Sequence, residues 1–178
     1  GMTFFKGEHI YLRALEPEDL EFLYELENDP GIWEVSGTLT PYSKKVLREY
    51  LSKAHQDIYE ARQLRLAICN RDGRALGLID LYDFNPRHQR AGIGIVISEA
   101  ADRDRGHGGE ALRLVCDYAF AILRLHQVYA HVSADNQRSI HLFQKLGFQC
   151  SGVQKDWLRT ATGYQDVQLF QKIKRDVS

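Results

Sequence analysis

The sequence predicts an α/β (α+β) fold in which a mixed, mostly antiparallel sheet of seven strands is flanked by about four helices. Three observations support this fold. Short apolar stretches typical of strands occur seven times, four segments show helical spacing of apolar residues, and three of the strands follow one another through short polar turns. Strands joined by short turns pair antiparallel. We therefore expect one sheet with helices packed on its faces.

The N-terminal third is predicted to hold one strand and two helices. The strand is expected at residues 9–15, and the first helix follows Pro17, a residue tolerated in a first helical turn. The turn at residues 28–31 ends that helix. A second helix follows Pro41, with one apolar stripe formed by Val46, Leu47, Tyr50, Leu51 and Ala54.

The rest of the chain is predicted to alternate between strands and two longer helices. An antiparallel meander is expected from strands at residues 64–69, 75–82 and 91–97. Beyond it we expect a helix at 106–123, a strand at 128–132, a helix at 135–146 and two strands near 149–158 and 165–172.

Composition favours one globular domain, residues 2–178, of a chain in which 44% of residues are hydrophobic. A net charge of -1 gives no global attraction to nucleic acid. The sequence has neither the apolar run that a membrane span needs nor a basic segment followed by an apolar one at its N-terminus. We expect a cytoplasmic protein without nucleic-acid or membrane partners, and we interpret Gly1 before Met2 as a remnant of a removed tag.

The cysteines and histidines do not predict a metal site. Cys69, Cys116 and Cys150 are odd in number and lie in apolar runs, so we expect reduced thiols that pack as small hydrophobes. His126 and His131 flank a predicted strand, but no third ligand stands at zinc-like spacing.

The stretch that carries chemistry joins the strand at 91–97 to the helix at 106–123. The first backbone N–H groups of a helix have no partner within it, and glycines beside them let a phosphate approach closely. Flanking arginines can pair with phosphate oxygens. We therefore predict a pyrophosphate-binding loop, with a turn that merely starts a helix as the alternative. Its residues are Arg103, Asp104, Arg105, Gly106, His107, Gly108 and Gly109.

Residues 106–111 also satisfy the dinucleotide fingerprint G-x-G-x-x-A. That fingerprint normally follows its strand directly and lies in the first βαβ unit. Here residues 98–105 intervene and the motif lies after the midpoint, with too little chain remaining for a doubly wound domain. A nicotinamide-binding protein is therefore disfavoured.

Two motifs resemble the GNAT-type N-acetyltransferase superfamily. The pattern R-x-x-G-x-G at residues 103–108 matches that family's acetyl-CoA motif, Q/R-x-x-G-x-G/A. The pattern N-x-x-S at 136–139, with L-G-F at 146–148, is similar to the family's later N-x-x-S/A and K-L-G-F. The resemblance extends over about residues 10–173 and is closest to bacterial spermidine/spermine (diamine) and ribosomal-protein N-terminal acetyltransferases.

The resemblance implies that acetyl-CoA is the cosubstrate and that a polyamine or a protein N-terminus accepts the acetyl group. It also implies that the loop at 103–109 surrounds the pyrophosphate, although Asp104 replaces a frequent glycine of the family. The strand at 128–132 would separate from the cofactor strand to leave a cleft for the thioester. The other cofactor contacts would come from Ile95, Val96, Ile97, Asn136, Ser139 and Phe143.

The catalytic groups of many relatives, a glutamate in the cofactor strand and a tyrosine in the following helix, are replaced here by Gly92 and Phe143. Neither can transfer a proton. We therefore expect the reaction to depend on positioning and on a backbone oxyanion donor near Ile95. Water held by Asp80 or Asp83 would deprotonate the amine, although a purely structural hydrogen bond of Asp80 is an equal alternative.

The acceptor is expected between the first two helices and the last hairpin. Carboxylates beside an indole suit a cationic amine through ion pairing and cation–π contact, and residues 1–60 carry 12 acidic but only 6 basic side chains. The alternative is that the indole packs in the core and the carboxylates face water. The residues concerned are Glu27, Asp29, Trp33 and Glu34.

Tyr164 in the last hairpin is a candidate for the missing phenol, with a core or interface role as the alternative. A homodimer is expected. A module that binds acetyl-CoA without catalysis is the alternative function, because Gly92 and Phe143 lack catalytic groups.

Overall fold

The computed structural model describes residues 3–28, 41–98 and 106–175, which form a sheet and the helices on its two faces. The strands are β1 Ile10–Ala14, β2 Leu64–Asn70, β3 Ala75–Asn85, β4 Arg90–Ile97, β5 Gln127–Ser133, β6 Gln149–Thr160 and β7 Gly163–Ile173. The helices are α1 Leu20–Glu27, α2 Lys44–Ser52, α3 Ile58–Ala61, α4 His107–Ala121 and α5 Gln137–Lys145, and short 3-10 helices cover Thr3–Phe5 and Pro17–Asp19.

The seven strands pair in the order β1-β2-β3-β4-β5-β7-β6. Every neighbouring pair is antiparallel except β4 and β5. The predicted mixed, mostly antiparallel sheet is therefore confirmed. The described residues hold five helices rather than four, because the sequence pattern missed the four-residue helix α3, which Asp57 caps by accepting a hydrogen bond from Tyr59 N–H at 2.7 Å.

The sheet separates two apolar cores, and alternation along β3 decides which core each residue joins. Ile79 and Leu81 pack with α4 and α5, whereas Leu78 packs with α1 and α2. We call these the α4/α5 side and the α1/α2 side of the sheet. Asp80 and Tyr82 alternate with Ile79 and Leu81, so both lie on the α1/α2 side.

Two packing predictions need correction. Val46 was placed on the apolar stripe of its helix, but it is 49% exposed, because only Leu47 and Leu51 of α2 are buried against the sheet. Cys69 and Cys116 are buried thiols as expected, whereas Cys150 is exposed. Its strand β6 lies at the edge of the sheet and is exposed along most of its length.

A partly buried ion pair fixes the junction between β1 and α1. Arg13 donates from Nη1 and Nη2 to the two carboxylate oxygens of Asp19, at 2.8 and 2.7 Å. Asp19 also accepts from Glu16 N–H at 2.8 Å, and its side chain is 7% exposed. The Arg13 hydrogen bonds lower the pKa of Asp19 despite this burial.

The feature that positions the site is the short parallel ladder between β4 and β5. The ladder contains only Arg90–Gln127, Ala91–Val128 and Gly92–Tyr129. Beyond Gly92 the two strands have no register with each other, while β4 continues to pair with β3 as far as Ile97. The separation of these strands, expected from the family resemblance, is present in the structure.

Within residues 3–28, 41–98 and 106–175, no helix is both long and apolar enough to cross a membrane. The same part of the chain contains no group of three or more His, Cys, Asp or Glu side chains placed to hold a metal ion.

Candidate functional site

A cavity of about 630 Å³ opens on the α4/α5 side, where β4 has left β5. Its walls come from β4, the N-terminal half of α4, the length of α5 and the turn before β1. The lining residues are Glu8, His9, Ile95, Val96, Ile97, Gly106, Gly108, Gly109, Glu110, Arg113, Asn136, Arg138, Ser139, His141, Leu142, Lys145 and Leu146. Most of the predicted cofactor residues that the structure describes therefore share one cavity.

The N-terminus of α4 faces this cavity. Gly106 is its N-cap residue, adopts a left-handed conformation with φ +78°, and supplies no side-chain cap. The N–H groups of the first turn therefore have no capping side chain, and an anion in the cavity could accept hydrogen bonds from them. Gly108 packs tightly here, because a Cβ at this position would lie 3.3 Å from Ile97 Cδ1.

Three cations that the sequence analysis did not select line the same cavity. Arg113 lies one turn after Gly109 on α4, and Arg138 and Lys145 lie seven residues apart on α5. With two carboxylates in the lining, Glu8 and Glu110, the walls carry an excess of positive charge. The i, i+4 spacing from Gly109 could have predicted Arg113, and Arg138 lies within the recognised N-x-x-S motif, with Lys145 two turns further along the same helix.

Glu110 connects the N-terminal segment to α4. Its Oε1 accepts from His9 N–H at 2.8 Å, and its Oε2 lies 3.5 Å from His9 Nδ1. The side chain of Glu110 is only 10% exposed. Burial alone would raise the pKa of this carboxyl, but hydrogen bonds from the backbone of His9, Ile10 and Glu8 outweigh it and lower the pKa. Glu110 thereby links α4 to the turn before β1, and both elements line the cavity.

Asn136 and Ser139 line the cavity at the start of α5. Asn136 is the N-cap residue, and its Oδ1 accepts from Ser139 N–H at 3.1 Å. That bond uses the carbonyl oxygen of the amide and leaves its NH2 group as the donor for a ligand. Both residues therefore share the cavity with Gly106, Gly108 and Gly109 of the predicted phosphate loop.

Two predicted cofactor residues do not line the cavity. Phe143 is 3% exposed and packs in the core. Its ring centroid lies 5.0 Å from that of Phe148 and 6.4 Å from that of Phe170. Because Phe143 points inward from α5, its neighbour Leu142 lines the cavity instead. His107 is half-buried outside the lining, and its buried Nδ1 has no hydrogen-bond partner among the described residues.

A charged cluster lies across the strands on the α1/α2 side. Arg65 of β2 stands opposite Asp80 of β3, its Nη1 lies 3.1 Å from Glu27 Oε1, and its guanidinium stacks on the Tyr50 ring at 5.6 Å. Glu27, predicted to bind the acceptor, is therefore paired within the protein. Burial raises the pKa of Asp80, and the charge of Glu27 raises it further, while Arg65 lowers it in part.

Asp80 also borders the β4 backbone, because a Cβ at Gly94 would lie 3.0 Å from Asp80 Oδ1. The other predicted catalytic residues lie elsewhere. Asp83 is exposed at the irregular end of β3, with φ +48°. Tyr164 is 61% exposed on the β6–β7 hairpin and is not part of the cavity lining. Asp80 is therefore the predicted catalytic residue that the structure holds against β4.

Several predicted site residues lie outside the described part of the chain. They are Asp29, Trp33 and Glu34 of the expected acceptor site and Arg103, Asp104 and Arg105 of the expected phosphate loop.

The sequence matches a family model for the acetyltransferase (GNAT) domain over residues 9–149. The chain belongs to the GNAT acetyltransferase family. Curated GNAT relatives include spermidine N(1)-acetyltransferases from Escherichia coli K12, 33% identical over 80% of this chain and 74% of that protein, and from Vibrio cholerae, 30% identical over 90% and 91%. A putative ribosomal N-acetyltransferase of Bacillus subtilis is 28% identical over 96% of this chain and 94% of its own length.

Solved structures of GNAT proteins show the same fold. The spermidine N-acetyltransferase from Vibrio cholerae, in complex with CoA and spermine, superposes with a TM-score of 0.85 at 28% identity, over 94% of this chain and 96% of that chain. A dodecameric structure of the enzyme from the same organism gives a TM-score of 0.78 at 26% identity, over 94% and 95%.

Together these findings identify an acetyl-CoA-dependent N-acetyltransferase. The family and the cosubstrate expected from the sequence motifs are confirmed. Neither the cavity nor the relatives support the alternative of a binding module without catalysis.

Proposed function

We propose that this GNAT enzyme transfers the acetyl group of acetyl-CoA to a primary amine of a polyamine. The observation that carries the proposal is Asp80, a carboxylate on the α1/α2 side, directly across β4 from the cofactor cavity. An aliphatic diamine or polyamine is cationic at neutral pH, and Asp80 and Glu27 together carry one negative charge more than Arg65 neutralises, which attracts such a cation. The named activities of the relatives from Escherichia coli and Vibrio cholerae support the same acceptor class.

We propose that the α4/α5 cavity holds the coenzyme. The first N–H groups of α4 would bind the pyrophosphate, with Arg138 and Lys145 adding positive charge. The backbone groups of Ile95 and Ile97 alternate toward the strand edge that β5 leaves open, where they would pair with the pantetheine arm, whereas those of Val96 face β3. Asn136 would donate its side-chain amide to the same arm. These residues fit an elongated ligand with an anionic end and an amide-rich arm.

In the proposed reaction the amine nitrogen attacks the thioester carbonyl, so an N–C bond forms and the C–S bond breaks. An ammonium group must lose two protons in this process: one goes to the leaving thiolate and one goes to solvent. Asp80 would accept the proton that the ammonium loses before the attack, directly or through water, and release it to solvent, because its raised pKa brings the carboxylate closer in basicity to an amine. The N–H group of Ile95 would stabilise the oxyanion.

The direct test is a comparison of acceptors under steady-state conditions. Thiol release from acetyl-CoA is measured with spermidine, spermine, a short diamine and a peptide with a free N-terminal alanine, and mass spectrometry identifies each product. We expect kcat/KM for spermidine to exceed that for the peptide by at least about tenfold, because the peptide brings one cation rather than several.

A higher kcat/KM for the peptide would overturn the polyamine assignment in favour of a protein N-terminus, the acceptor class that the sequence analysis left open. If none of these amines increases thiol release, both the polyamine and the protein N-terminus are contradicted as acceptors. The homodimer and the cytoplasmic location expected from the sequence stay predictions.

A further inference from the structure

An aromatic row lies on the α1/α2 side, at the point where the β4–β5 ladder ends. Tyr82 of β3 stands opposite Gly92 of β4, and Gly92 in turn pairs with Tyr129 of β5. The Tyr82 and Tyr129 rings meet edge to face, with centroids 6.2 Å apart at 85°. His131 continues the row, 5.7 Å from Tyr129 at 90°. Three aromatic side chains from two strands thus border the opening between β4 and β5.

The two glycines of β4 make room for this row. A Cβ on Gly92 would overlap the ring of Tyr82, and a Cβ on Gly94 would lie 3.8 Å from Tyr82 Cε1. The ring therefore lies flat along the β4 backbone. The family resemblance implies that many relatives carry a glutamate at the position of Gly92. In this chain the space of that side chain is filled by Tyr82, which reaches across from the neighbouring strand.

The electrostatic setting of the row favours a cation. Burial raises the pKa of Tyr82, and the neighbouring charges of Tyr129, Asp80 and Asp83 raise it further, so the phenol stays neutral at physiological pH. The Tyr82 and Tyr129 rings are half-buried, which weakens competition from water for a bound ion, whereas His131 is exposed. Burial and the charge of Asp83 raise the pKa of Tyr129, and the exposed Arg90, two residues before Gly92 on β4, lowers it only in part.

We propose that Tyr82 and Tyr129 form a cation–π site for the ammonium group of the acceptor, with Gly92 as the residue that allows the Tyr82 ring to lie there. An ammonium on these rings would sit at the end of the ladder, between Asp80 and the cofactor cavity, where the reacting nitrogen is needed. This inference rests on the proposed function and adds to it the residues that select a cationic acceptor. Tyr82 is thus a specificity residue.

The test separates ring chemistry from packing. Choline carries a quaternary ammonium that cannot be acetylated on nitrogen, and 3,3-dimethylbutan-1-ol is its uncharged isostere. Binding of both is measured by ligand-observed NMR titration in the presence of CoA, for the wild type, Tyr82→Phe and Tyr82→Leu. We expect Tyr82→Phe to keep the preference for choline and Tyr82→Leu to reduce it about fivefold to tenfold, because a leucine has no ring quadrupole.

A second variant, Gly92→Ala, tests the same site with Tyr82 intact. It shows whether the Tyr82 ring binds the cation even if Tyr82→Leu does not fold. The methyl group of Gly92→Ala must displace the Tyr82 ring, so we expect the same loss of preference and a higher KM for spermidine with an unchanged KM for acetyl-CoA. An undiminished choline preference in either folded variant overturns the proposal. The NMR comparison needs no turnover, so it still decides the aromatic site if the enzyme acetylates no polyamine.

Discussion

The α4/α5 side and the α1/α2 side of the sheet meet at the opening between β4 and β5, but they are built from different kinds of sequence. On the α4/α5 side, a glycine-rich helix start presents backbone N–H groups to the cavity, and the N-cap Asn136 adds one side-chain amide. On the α1/α2 side, Arg65, Asp80, Tyr82 and Tyr129 come from three strands and present side chains. Backbone donors survive most substitutions, whereas side-chain groups do not. Single substitutions should therefore cost more on the α1/α2 side.

The largest expected effect is that of Asp80→Asn. Removing the proton acceptor should lower kcat/KM for spermidine about 100-fold and leave KM for acetyl-CoA within about twofold. Activity of the wild type should rise with pH through the raised pKa of Asp80, because only the carboxylate accepts a proton. Steady-state rates across pH check both effects, since the variant should lack that rise.

Asp83→Asn is the matched control, because Asp83 is exposed and three residues away on the same strand. We expect less than a threefold loss. If Asp83→Asn lowers kcat/KM as much as Asp80→Asn does, the assignment of the proton acceptor to Asp80 rather than Asp83 is wrong. If neither substitution changes kcat/KM at any pH, the proton acceptor lies elsewhere.

An intermediate effect is expected on the α4/α5 side from Asn136. Asn136→Asp keeps the helix cap, because a carboxylate accepts the Ser139 N–H bond equally well, but it removes the amide donor. KM for acetyl-CoA should rise about tenfold, with little change in the thermal midpoint. Asn136→Ala should raise KM similarly and also lower the free energy of unfolding by about 1 kcal/mol through loss of the cap. An unchanged KM in both variants would remove Asn136 from the coenzyme site.

The smallest effect is expected from Glu110→Gln. The amide can still accept from His9 N–H, so the wall of the cavity should loosen rather than open, and KM for acetyl-CoA should rise about threefold. The pKa of Glu110 is lowered in the folded protein, so its stabilising contribution is present above the ordinary glutamate pKa and lost as the pH falls through the folded value. Urea titrations at pH 7 and pH 4 should therefore show a smaller difference between variant and wild type at pH 4. An effect of Glu110→Gln larger than that of Asp80→Asn would reverse the ranking of the two sides.

The fold could be predicted because its signals are local. Alternating strands, Gly147 after α5 and the turn around Gly73 each act within a few residues of sequence, and both glycines have positive φ in the structure. The α4/α5 cavity was also accessible to prediction, since its glycines and its N-cap lie in contiguous motifs. Helix α3 was missed because four residues contain too little periodicity to recognise.

The α1/α2 side could be predicted only in part. Asp80 was selected because a carboxylate on a central strand needs a partner, but its neighbours Arg65 and Glu27 are 15 and 53 residues away in sequence. The overlap between Gly92 and the Tyr82 ring depends on the register of β3 with β4, which no sequence motif encodes. The prediction that Phe143 contacts the cofactor does not match its place in the core, for a related reason. Helical spacing shows which residues share a face of α5, but the contacts of Phe143 with Phe148 and Phe170 determine that its face is turned to the core.

The early end of the β4–β5 ladder has a consequence for experiments on this enzyme. Ser98 N–H bonds to Leu76 O, so the alternation of β4 turns the N–H group of Ile95 away from β3, toward the side where the described part of β5 offers no register partner. That amide should exchange its hydrogen with deuterated water quickly in the free protein and slowly once the coenzyme arm lies beside it. A single peptide fragment from the middle of the sheet would then report occupancy, although amides this deep in a sheet are ordinarily among the slowest to exchange.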